Sequence, residues 1–226
     1  MFLCISVDGV DGAGKTTLVE ALCREYNVAT LPRFHCMGMV PQGRGERKNW
    51  FLTEDSLFTT RIYISGYKLR IFCAREFKRG LHYKFPVNST NNLVVMDRGF
   101  LSLKAYSFAM LMKTGNFSDD EADEKIAELS AGEFEKLADE TIDLSILLFE
   151  DGQECLEKIL ARRVCDENER LLVKYQHEYY SRHLKELKDS AKIKILSPFI
   201  SPEEIFKIVA DKIEGLKKCI EIATTC

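Results

Sequence analysis

A parallel α/β sheet with helices on both faces is the fold class this chain predicts, and three observations carry it. Five short apolar or β-branched runs, at residues 2–7, 28–31, 93–96, 145–149 and 193–196, alternate with longer segments of helical spacing. The first run, Phe2-Leu3-Cys4-Ile5-Ser6-Val7, leads directly into a glycine-rich loop and then into a helical segment. The runs are near-continuous in apolar character, as strands buried on both faces must be. A chain of 226 residues can bury a sizeable core as one domain, so 1–226 reads as a single unit with a five-stranded sheet.

Helical spacing covers 15–26 after the first run and about 54–78 before the third. It recurs at 101–112 and 119–138 before the fourth run, and at 153–163 and 168–188 before the fifth. A last helix spans 202–217, with Pro202 after Ser201 as its start signal, since proline has no N–H to leave unpaired in a first turn. Three connections read as polar loops: 36–50, which carries Arg44, Arg47 and Lys48; 82–92, rich in Asn; and 164–168, which interrupts two helical patterns.

Hydrophobic residues make up 46% of the chain and charged residues 30%, with a net charge of −3. No global basic field exists, so binding to bulk nucleic acid or to a membrane surface is not expected. No apolar run is long enough to span a bilayer. The eight cysteines form no C-x-x-C, and the four histidines show no metal-ligand spacing with them. The chain opens into a core strand with no basic segment or cleavage site, so a reduced, cytoplasmic setting with small buried thiols is expected. Asn88-Ser89-Thr90 is then a coincidental glycosylation match.

The loop itself carries the chemistry. Gly9-Val10-Asp11-Gly12-Ala13-Gly14-Lys15-Thr16 fits G-x-x-x-x-G-K-[ST], the Walker A phosphate loop, and it has the required strand before and helix after. Glycines allow successive N–H groups to turn around an anion, and the helix N-terminus favours negative charge. Gly9, Asp11, Gly12, Ala13, Gly14, Lys15, Thr16 and Thr17 are therefore the candidate cradle for ATP. Lys15 would reach the β/γ-phosphates and the Thr16 hydroxyl would hold Mg²⁺. In parallel sheets ligands sit at the carboxyl ends of strands. There the third run delivers Asp97-Arg98, an acid to orient Mg²⁺ and a guanidinium that can fork onto a phosphate. The second run delivers Arg33-Phe34. A charge-dense break, Arg162-Arg163-Val164-Cys165-Asp166-Glu167-Asn168-Glu169-Arg170, reads as a small lid over about 162–170 that closes cations over transferring phosphates.

These residues resemble the thymidylate kinases, P-loop kinases that phosphorylate dTMP to dTDP with ATP and Mg²⁺, over nearly the whole chain. Gly9-Val10-Asp11-Gly12 places the acid as that family does, and Arg33-Phe34 resembles the start of its Arg-Phe-Pro segment. Asp97-Arg98 with Ser102, Ala105 and Tyr106 follows its D-R-x-x-x-S-x-x-A-Y-Q run. Ile142-Asp143-Leu144 resembles its P-D-L strand, and Ser201-Pro202-Glu203-Glu204-Ile205 its final strand-to-helix joint near the adenine. The chain departs from the family at Gly99, where an aromatic is usual, at Ser107 in place of Gln, and at His35 in place of Pro. The resemblance implies that Asp11 accepts from the acceptor sugar's 3′-hydroxyl and that Arg33 and Arg98 hold the monophosphate. Phe34 and Ser102 would line the same acceptor site, with Tyr106 walling off the sugar. Phe58, Tyr63, Tyr67 and Arg70 are candidates to contact the base, and a homodimer is implied. With Gly12 in the loop, the family pattern places the catalytic cation in the lid, at Arg162 first and at Arg163 or Arg170 next.

Two other readings remain open on sequence grounds. A deoxynucleoside kinase would need a carboxylate base after the second strand, where this chain has Arg33. A nucleotide-binding regulator, or a catalytically silent relative, is the other; the guanine-reading Asn-Lys-x-Asp of a GTPase is absent from the sequence.

Overall fold

The structure, a computed structural model, describes residues 3–26, 30–31, 56–79, 93–130, 133–162 and 166–225. Chain order is β1 (Leu3–Gly9), α1 (Lys15–Tyr26), β2 (Thr30–Leu31), α2 (Ser56–Lys78), β3 (Leu93–Asp97), α3 (Phe100–Met112) and α4 (Asp119–Ser130). There follow α5 (Glu133–Thr141), β4 (Leu144–Leu148), α6 (Gln153–Ala161), α7 (Glu167–Asp189), β5 (Ile193–Leu196) and α8 (Pro202–Thr225).

All the strand pairs are parallel, in the order β2-β3-β1-β4-β5. The sequence predicts a five-stranded sheet; four strands make up its body. β3, β1, β4 and β5 carry the sheet, and among the described residues β2 contributes Thr30 and Leu31, opposite Val95 and Met96.

The period-two geometry of strands sorts the core into two layers. Leu3, Ile5 and Val7 of β1, with Leu93 and Val95 of β3, face the larger cluster, which α1, α6, α7 and α8 complete. Cys4, Val94 and Met96 face the smaller one, filled by Ile64, Tyr67 and Ile71 of α2 and by Ile142. α3 lies between α2 and α7 and is apolar on most of its circumference, as a helix enclosed by neighbours must be. Asp143, just ahead of β4, accepts from the Cys4 amide at 2.8 Å and from Lys78 at 2.5 Å, pinning the start of the central strand.

One helix was expected over 119–138, but two form. Residues 131 and 132, between α4 and α5, lie outside the described residues, and the Ser130 hydroxyl that closes α4 donates to the Ile126 carbonyl at 2.6 Å. The start signal at Ser201-Pro202 is matched by a cap. Ser201 accepts from the Glu204 amide ahead of Pro202. Asp166 accepts from the Glu169 amide at 2.8 Å, so the acid in the middle of the lid sequence is the N-cap of α7. α6 stops at Ala161, and Arg162 is its C-cap. The loops expected at 36–50 and 82–92 lie outside the described residues.

Candidate active site

The glycine loop hangs from the carboxyl end of β1 and is packed against the end of β4. Gly9 has φ +139°, and a Cβ there would meet the Leu148 carbonyl oxygen at 2.5 Å, so only glycine fits. Gly12 and Gly14 also have positive φ. No heavy atom lies within 4 Å of a Cβ built on Gly14, so a ligand can approach the backbone there. Within this loop Lys15, 5% exposed, donates to the Gly9 carbonyl at 3.0 Å and the Val10 carbonyl at 2.7 Å. Its ammonium is 3.4 Å from the Asp11 carboxylate. Burial, and then the nearby Arg98 cation, pull the Lys15 pKa down to about 8, with Asp11 and Asp97 opposing.

Asp11 is the hub of the site. Its Oδ1 lies 2.7 Å from Arg98 Nη1. Its amide donates to Gln176 Oε1 at 2.9 Å, and Gln176 Nε2 reaches Asp11 Oδ2 at 3.5 Å. The loop acid therefore joins the Walker lysine, the strand-end arginine and α7, the helix that follows the lid. Nothing in the sequence marked Gln176, because its partner is remote in the chain.

Arg98 has φ +70°, a left-handed conformation that is strained for an arginine. Two α2 side chains hold it. Tyr67 donates to the Arg98 carbonyl at 2.9 Å, and Arg70 donates to the same carbonyl at 3.0 Å and to the Asp97 carbonyl at 2.9 Å. Arg70 is 1% exposed and lies over the Tyr67 ring. Of the candidates for contacting a base, these two thus bond to the backbone of the Asp97-Arg98 turn. For Phe58 and Tyr63 the side chains lie outside what is described.

The start of α3 is built from the other side of β1. Asp8, fully buried, accepts from the Gly99 and Ser102 amides at 2.8 Å each and from the Ser6 hydroxyl at 2.7 Å. This gives Gly99 its reason. A Cβ there would sit 2.4 Å from Ser6 and 2.9 Å from the Asp8 carboxylate, so the aromatic usual in the resembled family cannot enter. Ser102, expected to line the acceptor site, is instead buried at the capped first turn. Ser107 is buried as well, and Tyr106 is half-buried against the smaller core cluster.

The Thr16 hydroxyl lies 3.5 Å from Asp97 Oδ2. Among the described residues no three His, Cys, Asp or Glu side chains converge on a metal site. The pair of hard oxygen donors fits Mg²⁺, which keeps most of its shell as water and phosphate oxygen.

Beside the loop lies a cavity of about 380 Å³ walled by Ala13, Gly14, Thr17, Arg162, Phe199 and Ile205. The Arg162 guanidinium lies over the Phe199 ring at 4.5 Å and donates to the Pro198 carbonyl at 3.2 Å. The structure thus turns Arg162 toward the β5–α8 joint, a position suited to covering a flat ring in the cavity. Arg170 stands exposed in the first turn of α7. Arg33, Phe34 and Arg163 lie outside the described residues.

Sheet order, glycine loop and helix-flanked parallel strands define a P-loop α/β fold. Solved structures of deoxyadenosine kinase from M. mycoides share it. The form with bound dATP superposes at TM-score 0.61 with 12% identity, over 93% of this chain and 98% of that one. The form with bound dCTP does so at 0.53 and 12%, over 94% and 100%. A third, with products dCMP and a flexible dCDP bound, gives 0.51 and 10%, over 94% and 100%. At such identities the likeness is one of fold. No family model and no curated protein sequence matches the chain.

Proposed function

We propose that this protein is a P-loop kinase that transfers the γ-phosphoryl group of ATP to a deoxynucleoside monophosphate, with dTMP the first-ranked acceptor. The observation that carries this reading is the Asp11–Arg98 contact, a strand-end guanidinium held against the phosphate loop by the loop's own acid. A cation in that position suits an acceptor that is itself an anion.

The cavity beside Gly14 and Thr17 would take the adenine, between Arg162 and the β5–α8 joint. The loop amides and Lys15 would take the polyphosphate, and Lys15 would exchange its contacts to the Gly9 and Val10 carbonyls for phosphate oxygens. Thr16 and Asp97 would hold Mg²⁺, which neutralises charge on the β- and γ-phosphates. Arg98, with Arg33, would hold the acceptor phosphate, while Asp11 orients Arg98 and the acceptor sugar. Catalysis here is positioning and charge neutralisation, since two polyanions must be brought into line.

A second reading has an observation of its own. Solved structures that share the fold include those of an enzyme described as deoxyadenosine kinase, whose name denotes a nucleoside acceptor. An ADP-release assay over a panel of deoxynucleosides and their monophosphates decides between them. Turnover with dTMP well above that with thymidine is expected. Turnover with nucleosides and none with monophosphates overturns the first reading in favour of the second. ATP-independent silence across the panel overturns both.

A further inference from the structure

A second cavity, of about 340 Å³, lies away from the phosphate loop, between α3, α5 and the amino-terminal ends of β4 and β5. We propose that it is a binding site for a small, uncharged, flat aromatic molecule carrying an N–H donor.

The size is that of ligand pockets. Its apolar lining is supplied by Phe100, Leu101, Ala138, Ile142 and Ile193. Its charges are already matched. Lys104 is 2.6 Å from Glu135, and Lys192 is 3.0 Å from the Asp139 carboxylate. An anionic or cationic guest would have to displace one member of a pair, whereas an uncharged one leaves both intact. Lys104 also lies over the Phe100 ring at 4.7 Å, so the aromatic wall is fixed in place.

The donor requirement comes from the direction of a buried hydrogen-bond chain. Ser145 lines the cavity, and its hydroxyl is 2.9 Å from that of Ser6. Ser6 gives its only hydroxyl proton to Asp8, so the proton between the two serines belongs to Ser145. Ser145 therefore has no proton left for a guest, only lone pairs that accept. The same chain ends at the carboxylate that caps α3 through Gly99 and Ser102, next to Arg98. An occupant bonded to Ser145 acts on that cap.

The probe is indole, titrated calorimetrically into the full chain and compared with benzofuran, which lacks the N–H, and with indole-3-acetate, which adds a charge. Indole is expected to bind with a dissociation constant below about 1 mM, roughly tenfold more tightly than either comparison compound, and to shift the Gly99 and Ser102 amide resonances. Ser145→Ala removes the acceptor with little change in volume and should make indole and benzofuran equal. Ala138→Phe should abolish binding by filling the space, with retained fold checked by circular dichroism. Absence of indole binding, tighter binding of the carboxylate probe, or an indole preference that survives Ser145→Ala overturns the proposal. These readouts need no nucleotide, so their outcome is separate from that of the kinase reading.

Discussion

The Arg98 guanidinium lies 2.7 Å from the Asp11 carboxylate, Nη1 to Oδ1, which brings the end of β3 against the middle of the phosphate loop. The Arg98 backbone is left-handed and is held there by Tyr67 and Arg70. The cation is thus positioned before any acceptor arrives. Arg98→Ala is expected to raise KM for the monophosphate roughly 10–100-fold, the worth of a hydrogen bond to a charged group, with a small change in KM for ATP. Steady-state kinetics with each substrate varied in turn check it.

Lys15→Ala should lower kcat by several orders of magnitude in a folded protein, because the ammonium stabilises the transferring phosphoryl group. Single-turnover measurements, with circular dichroism as the control for folding, are the check. Near-normal phosphoryl transfer would falsify the phosphate-loop assignment.

The lowered pKa of Lys15 gives a pH dependence with a definite sign. Between about 8 and the ordinary 10.5 the empty loop holds a neutral Lys15, while the unfolded chain keeps its proton. The unfolded state then binds more protons, so folding stability attributable to this group rises with pH across that window. Nucleotide affinity moves the opposite way. Phosphate binding needs the ammonium, so ATP affinity should fall by about tenfold per pH unit above about 8, with proton uptake on binding. Calorimetry in two buffers of different ionisation enthalpy measures that uptake, and Lys15→Arg should remove it.

Arg162 over Phe199 predicts a binding role for a residue that the lid sequence casts as catalytic. Arg162→Ala should raise KM for ATP by roughly tenfold, the scale of a cation–π contact to a desolvated ring, and leave kcat within about threefold. A collapse of kcat at constant KM would return Arg162 to the transferring phosphate.

Gly99→Ala should destabilise the fold by about 1–3 kcal/mol, the usual cost of overpacking, because the new Cβ meets Ser6 and Asp8. Ser6→Gly should recover part of the loss by removing the closest contact. Urea unfolding of the single and double variants measures both.

Much of this site is local in sequence and was legible there. The phosphate loop needs one strand, one turn and one helix start, all within a single stretch, and its glycine spacing is fixed by backbone sterics. Thr16 and Asp97 come within 3.5 Å because in a parallel sheet the ends of neighbouring strands are adjacent. Ser102 fits the resembled run by its spacing from Arg98, and the spacing did not show that its amide donates to Asp8 in the interior. The contacts of Tyr67 and Arg70 with the Asp97-Arg98 backbone were not legible for a related reason. Aromatic and cationic side chains on a helix face can serve a base or a backbone, and spacing does not distinguish the two.

The sequence by itself determined the alternation of strands and helices, the phosphate loop and the acid within it, because each follows from residues close together in the chain. Only the tertiary structure decided what those residues touch. Gln176 comes to Asp11 from α7, Arg70 comes to Arg98 from α2, Asp8 caps α3 through Gly99, and Arg162 turns to Phe199. Each partner lies on a different element, and its distance is set by how helices pack on a twisted sheet. That packing depends on the summed shape of both core layers, so no local pattern of residue types encodes it.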